Sequence, residues 1–88
     1  MDDRLKMLRF RAWRRGFREI DLILGGFADR RLADLDEGGL AAFERLLDAP
    51  DPDVYAWITE EEAPPAAYDT PVLAMLKSFR FEIAGRGE

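Results

Sequence analysis

Eight consecutive positions, Arg14-Arg15-Gly16-Phe17-Arg18-Glu19-Ile20-Asp21, hold three arginines, a glycine and two carboxylates. Guanidinium groups suit planar recognition of carboxylate or phosphate, and a residue without a side chain lets another molecule come near the backbone. Arg15 and Glu19 flank Gly16 with charges of opposite sign, and no nucleophile or proton shuttle stands among them. Such a patch recognises rather than reacts. An internal reading competes with that one: Arg15 and Glu19 are four apart on a helix and can pair locally, for a few tenths of a kcal/mol at about the usual surface value.

The remaining inventory offers little other chemistry. His, Cys, Asn and Gln are absent from all 88 residues. Without His or Cys there is no Ser/His or Cys/His nucleophile pair and no zinc or copper site of ordinary composition. Carboxylates, Lys, Tyr, Thr59, Thr70 and Ser78 are what is left for proton or metal work. No Asp-x-Asp-x-Asp-Gly loop occurs, and Asp51-Pro52-Asp53 reads as a helix start. No Gly-x-Gly-x-x-Gly follows a strand, so no tightly bound dinucleotide is expected. Neither catalysis by the chain alone nor a metal site is expected.

Charge is unevenly spread. Residues 1–31 carry nine basic and five acidic side chains, net +4, and the rest carries four basic and thirteen acidic, net −9, for a total of −5. Between Arg4 and Arg18 there are seven cations and no anion, with Phe10, Trp13 and Phe17 interleaved. A basic stripe with aromatics suits nucleic acid, but the overall pI of about 4.7 argues against it, since an acidic body repels a phosphate backbone. A solvated helix face and a docking face for an acidic protein surface are both open readings; an amino-terminal helix lying on a membrane surface is a further rival. No apolar run reaches the roughly 20 residues that span a bilayer, so membrane insertion is not expected.

The elements that must position the cluster follow period 3.6, with no sustained alternation of two, so the chain reads as an all-α, compact five-helix bundle in one domain over residues 1–88. The first helix is expected from Asp3 to Arg14, with Leu5, Leu8 and Ala12 on one face. Arg15-Gly16 breaks it, the glycine supplying a left-handed backbone. A second helix from Phe17 to Arg31 buries Ile20, Ile23, Leu24 and Phe27. Gly25-Gly26 inside it costs about 1 kcal/mol per glycine relative to alanine, which implies close approach of a neighbouring helix in preference to a partner chain. Asp36 caps a third helix with Leu40, Phe43, Leu46 and Leu47. Asp51 as cap with Pro52 at the first helical position opens a short fourth helix holding Val54, Tyr55, Trp57 and Ile58. Thr70-Pro71 repeats that start for a fifth, carrying Val72, Met75, Leu76, Phe79 and Ile83 to about Ala84. The tail 85–88 is expected to be mobile.

Arg15-Gly16-Phe17-Arg18-Glu19, continuing into Asp21-Leu22-Ile23-Leu24 and Phe27-Ala28, resembles the Arg-Gly-Met-x-Glu signature and following helix of the succinate dehydrogenase flavinylation factors, small proteins of bacteria and mitochondria. Downstream, Leu40, Phe43, Leu46-Leu47 and the block Asp51-Pro52-Asp53-Val54-Tyr55-Ala56-Trp57-Ile58 resemble that family's acidic, proline-bearing turn before a short aromatic helix. The likeness covers residues 4 to 80. Phe17 stands where Met is usual, which keeps a large apolar side chain.

The resemblance implies a five-helix assembly factor, not an enzyme. Its partner would be the flavoprotein subunit of succinate dehydrogenase, and in bacteria often that of fumarate reductase, where it promotes covalent attachment of FAD held by that partner. It marks Arg15, Gly16 and Glu19 as the functional surface, with Arg14, Phe17 and Arg18 beside them and Asp21, Tyr55 and Trp57 as secondary candidates. Tyr55 and Trp57 are two apart and cannot share a helix face, so at least one belongs to the core. A monomer in the bacterial cytoplasm is expected, since no transit-type segment precedes the domain.

Overall fold

Each segment with a helical apolar repeat is a helix in the computed structural model, which describes residues 3–84. The helices are α1 (Asp3–Ala12), α2 (Arg18–Arg31), α3 (Glu37–Asp48), α4 (Asp51–Ile58) and α5 (Pro71–Ala84), with 3-10 turns at Leu32–Asp34 and Ala66–Tyr68. The described residues contain no strand, and the fold is the expected five-helix, all-α one. The expectation for the tail, 85–88, lies outside the described residues.

Local chemistry sets most boundaries. Asp36 caps α3, its carboxylate accepting from the Gly39 N–H at 2.8 Å. Thr70 Oγ1 accepts from the Leu73 N–H at 3.3 Å, and Pro71, which has no N–H to lose, is the first residue of α5. Two boundaries differ from expectation. Helix α1 stops at Ala12 rather than Arg14, where the Arg14 N–H turns to the Arg11 carbonyl, a tighter three-residue bond. Helix α4 begins one residue early, with Pro50 as its cap, because the Asp51 carboxylate is drawn to a different partner.

The buried stripes of α2, α3 and α5 meet around Phe27. Its ring stacks on Phe43 at 5.7 Å and meets Phe79 edge-on at 5.8 Å, and Ile20, Leu24, Leu46, Leu73 and Leu76 are buried in the same core. Helix α2 lies against both α1 and α5, and α5 also packs on α3 and α4. No polar or charged residue among those described is fully buried. The core is therefore held by apolar contact and the rim by charge.

Gly25 and Gly26 are explained inside the chain. The Trp13 indole lies directly on Gly25, where a Cβ would overlap the ring, and a Cβ on Gly26 would stand 3.2 Å from the Phe79 ring. Phe79 belongs to a neighbouring helix, as expected, whereas Trp13 comes from the turn between α1 and α2. Both glycines make room for aromatic side chains, which offsets their low helix propensity.

Candidate functional site

The turn between α1 and α2 holds the cluster, and Arg15 faces inward. Its side chain is 11% exposed and its partner Asp51 18%. Nε donates to Asp51 Oδ1 at 2.8 Å, one Nη donates to the Leu47 carbonyl at 2.9 Å, and the backbone N–H donates to Asp21 Oδ1 at 2.8 Å. Leu47 is near the end of α3, where carbonyls lack helical partners and the helix dipole favours a cation; Asp51 is in the first turn of α4, where the dipole favours an anion. One guanidinium thus satisfies the end of α3, neutralises the start of α4 and pins the α1–α2 turn against both. The local Arg15–Glu19 pair does not form, because these stronger acceptors lie across the fold.

Gly16 is exposed beside that clamp. Its φ lies outside the left-handed range of +20° to +160°, so the expected left-handed backbone is not why glycine stands there. Its neighbour is close instead: a Cβ would come within 3.1 Å of Asp51 Oδ2, so any side chain there asks the Asp51 carboxylate to give way slightly. Phe17 caps α2 in extended conformation (φ −154°, ψ 162°) and meets Tyr55 edge-on at 5.2 Å, which docks the turn on α4. Tyr55 is half-buried, while Trp57 is 6% exposed and packs on Tyr68 at 4.8 Å, so of the two Trp57 belongs to the core.

The outward side is composed differently. Arg14, Arg18 and Glu19 are exposed. Arg14 lies 4.4 Å over the Phe10 ring, and neither Arg18 nor Glu19 has a hydrogen bond or ion pair among the described residues. Arg18 and Glu19 sit at one end of an open groove of about 650 Å³ bounded by α2 and α5, with Trp13, Leu22, Tyr55 and Arg80 among its walls. The structure therefore splits the predicted residues. Arg15 and Asp21 build the turn, Trp57 belongs to the core, and Gly16, Arg18 and Glu19 face outward, with Phe17 and Tyr55 half-buried between.

Sequence reasoning missed the groove's far end. Leu22, 42% exposed on the polar side of α2, was a legible signal as an apolar residue off the buried stripe. Arg30 and Arg80 carried no signal, since only the packing of α5 on α2 brings them together. The basic stripe also resolves: Arg4 bonds Glu37 at 2.6 Å, Arg9 bonds Asp29 at 3.1 Å and Arg11 bonds Asp48 at 2.6 Å. Much of the positive charge of α1 is spent on the chain's own acidic surface. Among the described residues no three acidic groups gather to hold a metal ion, and no helix is long and apolar enough to cross a membrane.

A family model described as the flavinator of succinate dehydrogenase matches residues 6–80. The mitochondrial succinate dehydrogenase assembly factor 2 of Arabidopsis thaliana is 36% identical over 73 residues, 82% of this chain and 39% of that protein. Its counterpart in Dictyostelium discoideum is 36% identical over 72 residues (82% of this chain, 51% of that protein), and the one in Drosophila virilis is 36% identical over 76 (84% and 48%). The chain spans about half or less of the length of these relatives. The expectation of a bacterial cytoplasm is corrected by them: all three are named mitochondrial and come from eukaryotes.

Proposed function

The chain belongs to the family of succinate dehydrogenase flavinators, and from that premise we propose that it docks on the flavoprotein subunit of succinate dehydrogenase and promotes covalent attachment of FAD there. Fumarate reductase offers a second client of the same chemistry. The bond between a client histidine and the flavin 8α-methyl is chemistry of the cofactor and client, which suits a factor without histidine of its own. Assistance without catalytic groups agrees with relatives named assembly factors.

The contribution of this chain is positioning. Arg15 holds the turn against α3 and α4, so Gly16 presents bare backbone and Glu19 a carboxylate from a fixed frame. A rigid docking surface that selects the client conformation with histidine and flavin aligned can remove several kcal/mol from a barrier, on the order of what near-attack positioning supplies. The observation that supports this reading best is the exposure of Gly16 in the turn and of Arg18 and Glu19 at the start of α2, beside an arginine locked inward.

Two substitutions test it. Gly16→Arg should leave the helical circular dichroism intact and weaken client binding by about tenfold or more, or 1.4 kcal/mol and upward. Glu19→Ala should keep both fold and Tm and lower the yield of covalent flavin, read as fluorescence of the client band on a denaturing gel. A folded Gly16→Arg protein with full client affinity would remove the docking surface from this turn, and equal flavin yields with Glu19→Ala would remove the carboxylate from the process.

A further inference from the structure

Half of the described cations of this acidic protein already have an anion. Arg4, Arg9, Arg11, Arg15 and Arg31 bond carboxylates, and Lys77 lies 3.6 Å from Glu60. Five described guanidiniums do not: Arg14 lies over the Phe10 ring, Arg45 donates to the Ala67 carbonyl, and the other three, Arg18, Arg30 and Arg80, all line the groove between α2 and α5. Arg30 lies 5.7 Å over the Phe79 ring and Arg80 lies 5.2 Å over the Phe81 ring. Stacking on a ring face orients a guanidinium while leaving its N–H edge available. Among the described residues, no acceptor meets those edges. The wall between them is apolar, with Leu22, Trp13 and Tyr55 partly exposed.

We infer that this groove receives an acidic segment with an apolar centre, supplied by the flavoprotein client and held by the guanidiniums of Arg18, Arg30 and Arg80. The identity of the client rests on the reading above; the chemistry of the segment rests on the groove. The net charge of −5 repels an anionic segment from the acidic part of the surface, and the groove is where three open guanidiniums gather. Glu19 gives the site a direction. It stands beside Arg18 and weakens that end for a carboxylate, while Asp29, the groove's other carboxylate, is already bonded by Arg9 at 3.1 Å; the larger share of the segment's acidic groups therefore falls to Arg30 and Arg80, with its apolar residue over Leu22. Glu19 and Arg30 are separated along α2 by about 16 Å at 1.5 Å per residue, the span of about five residues of extended chain at 3.3 Å each.

The test uses the full chain, the isolated flavoprotein subunit of succinate dehydrogenase, overlapping synthetic peptides covering that subunit, and vesicles of anionic phospholipid. Arg18→Glu combined with Arg80→Glu should weaken binding to the flavoprotein by about tenfold or more, equivalent to 1.4 kcal/mol, and flatten its dependence on salt. Leu22→Ala should weaken it by a smaller factor, and Lys6→Glu, a charge reversal of the same sign outside the groove, should leave it unchanged. An acidic peptide with a central apolar residue should bind the unaltered chain and fail to bind the double variant. Folded double variant with full affinity, an equal loss from Lys6→Glu, or capture only of uncharged peptides would each overturn the inference while leaving the docking of the client standing. Binding of anionic vesicles that is lost in the double variant, with flavoprotein affinity untouched, would reassign the groove to a membrane surface. Absence of any flavoprotein binding by the unaltered chain would overturn the functional reading and this occupant together.

Discussion

Arg15 and Arg18 stand three residues apart in the same short segment, yet the first meets acceptors on Asp51, Leu47 and Ala49 and the second meets none among the described residues. The contrast extends over the molecule. Arg4, Arg9, Arg11 and Arg31 cross from one element to another and end on a carboxylate, whereas Arg18, Arg30 and Arg80 converge on a groove with open edges. Paired arginines here are parts of the fold; unpaired ones are free to meet another molecule. A motif read as one functional unit therefore contains two kinds of residue, and the distinction is made by what the rest of the chain brings opposite each side chain.

The largest expected effect comes from breaking the most buried pair. Arg15→Met leaves Asp51 only 18% exposed without its cation and strands the Leu47 carbonyl. A loss of about 2 to 4 kcal/mol is expected, somewhat below the range for fully buried pairs. For a domain of this size each kcal/mol lowers Tm by about 4 to 8 °C. Arg18→Met should leave Tm unchanged. Calorimetry on the two variants checks the contrast directly, and equal Tm values would erase the division between the two arginines.

The fold was legible because the helix signals are local. Asp36, Pro71 and the apolar stripes of α2 and α5 all act within one or two turns, so spacing alone revealed them. The clamp was not legible for the opposite reason. From sequence the available partner for Arg15 is Glu19, four residues on, and nothing local prefers Asp51, which lies across the fold and reads as an N-cap. The groove was half legible: Glu19 and Leu22 stand out on α2, but Arg80 joins them only through the packing of α5. The left-handed backbone expected of Gly16 is absent, since its φ lies outside that range and its close neighbour is the Asp51 carboxylate, which only the packing of α4 brings there.

A smaller effect separates the clamp from the other crossing pairs. Arg11 and Asp48 sit at 2.6 Å but are 32% and 65% exposed, and Arg31 and Glu82 are similarly open to water. Arg11→Ala and Arg31→Ala should each cost less than about 1 kcal/mol, and the difference should shrink as salt is raised through the range where the Debye length falls from 10 Å to 3 Å. Urea unfolding at low and high salt measures it. A loss matching that of Arg15→Met would mean that burial is not what distinguishes Arg15.

The smallest expected change has the opposite sign. Helix α4 ends in a Schellman motif, with the Glu61 N–H on the Ala56 carbonyl at 2.9 Å and the Glu60 N–H on the Trp57 carbonyl at 3.2 Å. The residue between them in the left-handed region is Glu60, at φ 65°, where glycine is usual. Glu60→Gly relieves the strain of a side chain there, worth about 1 to 2 kcal/mol, but raises the entropy of the unfolded chain and removes the exposed 3.6 Å contact with Lys77. A net gain of about 0.5 kcal/mol is expected, since an ion pair that open contributes little. Strain relief is opposed both by chain entropy and by the ion pair, and Lys77→Ala, which removes the pair without touching the backbone, separates the two. A fall in Tm for Glu60→Gly matched by an equal fall for Lys77→Ala would show that even an exposed pair in this molecule outweighs backbone strain, and the line drawn between its buried and its open cations would have to move.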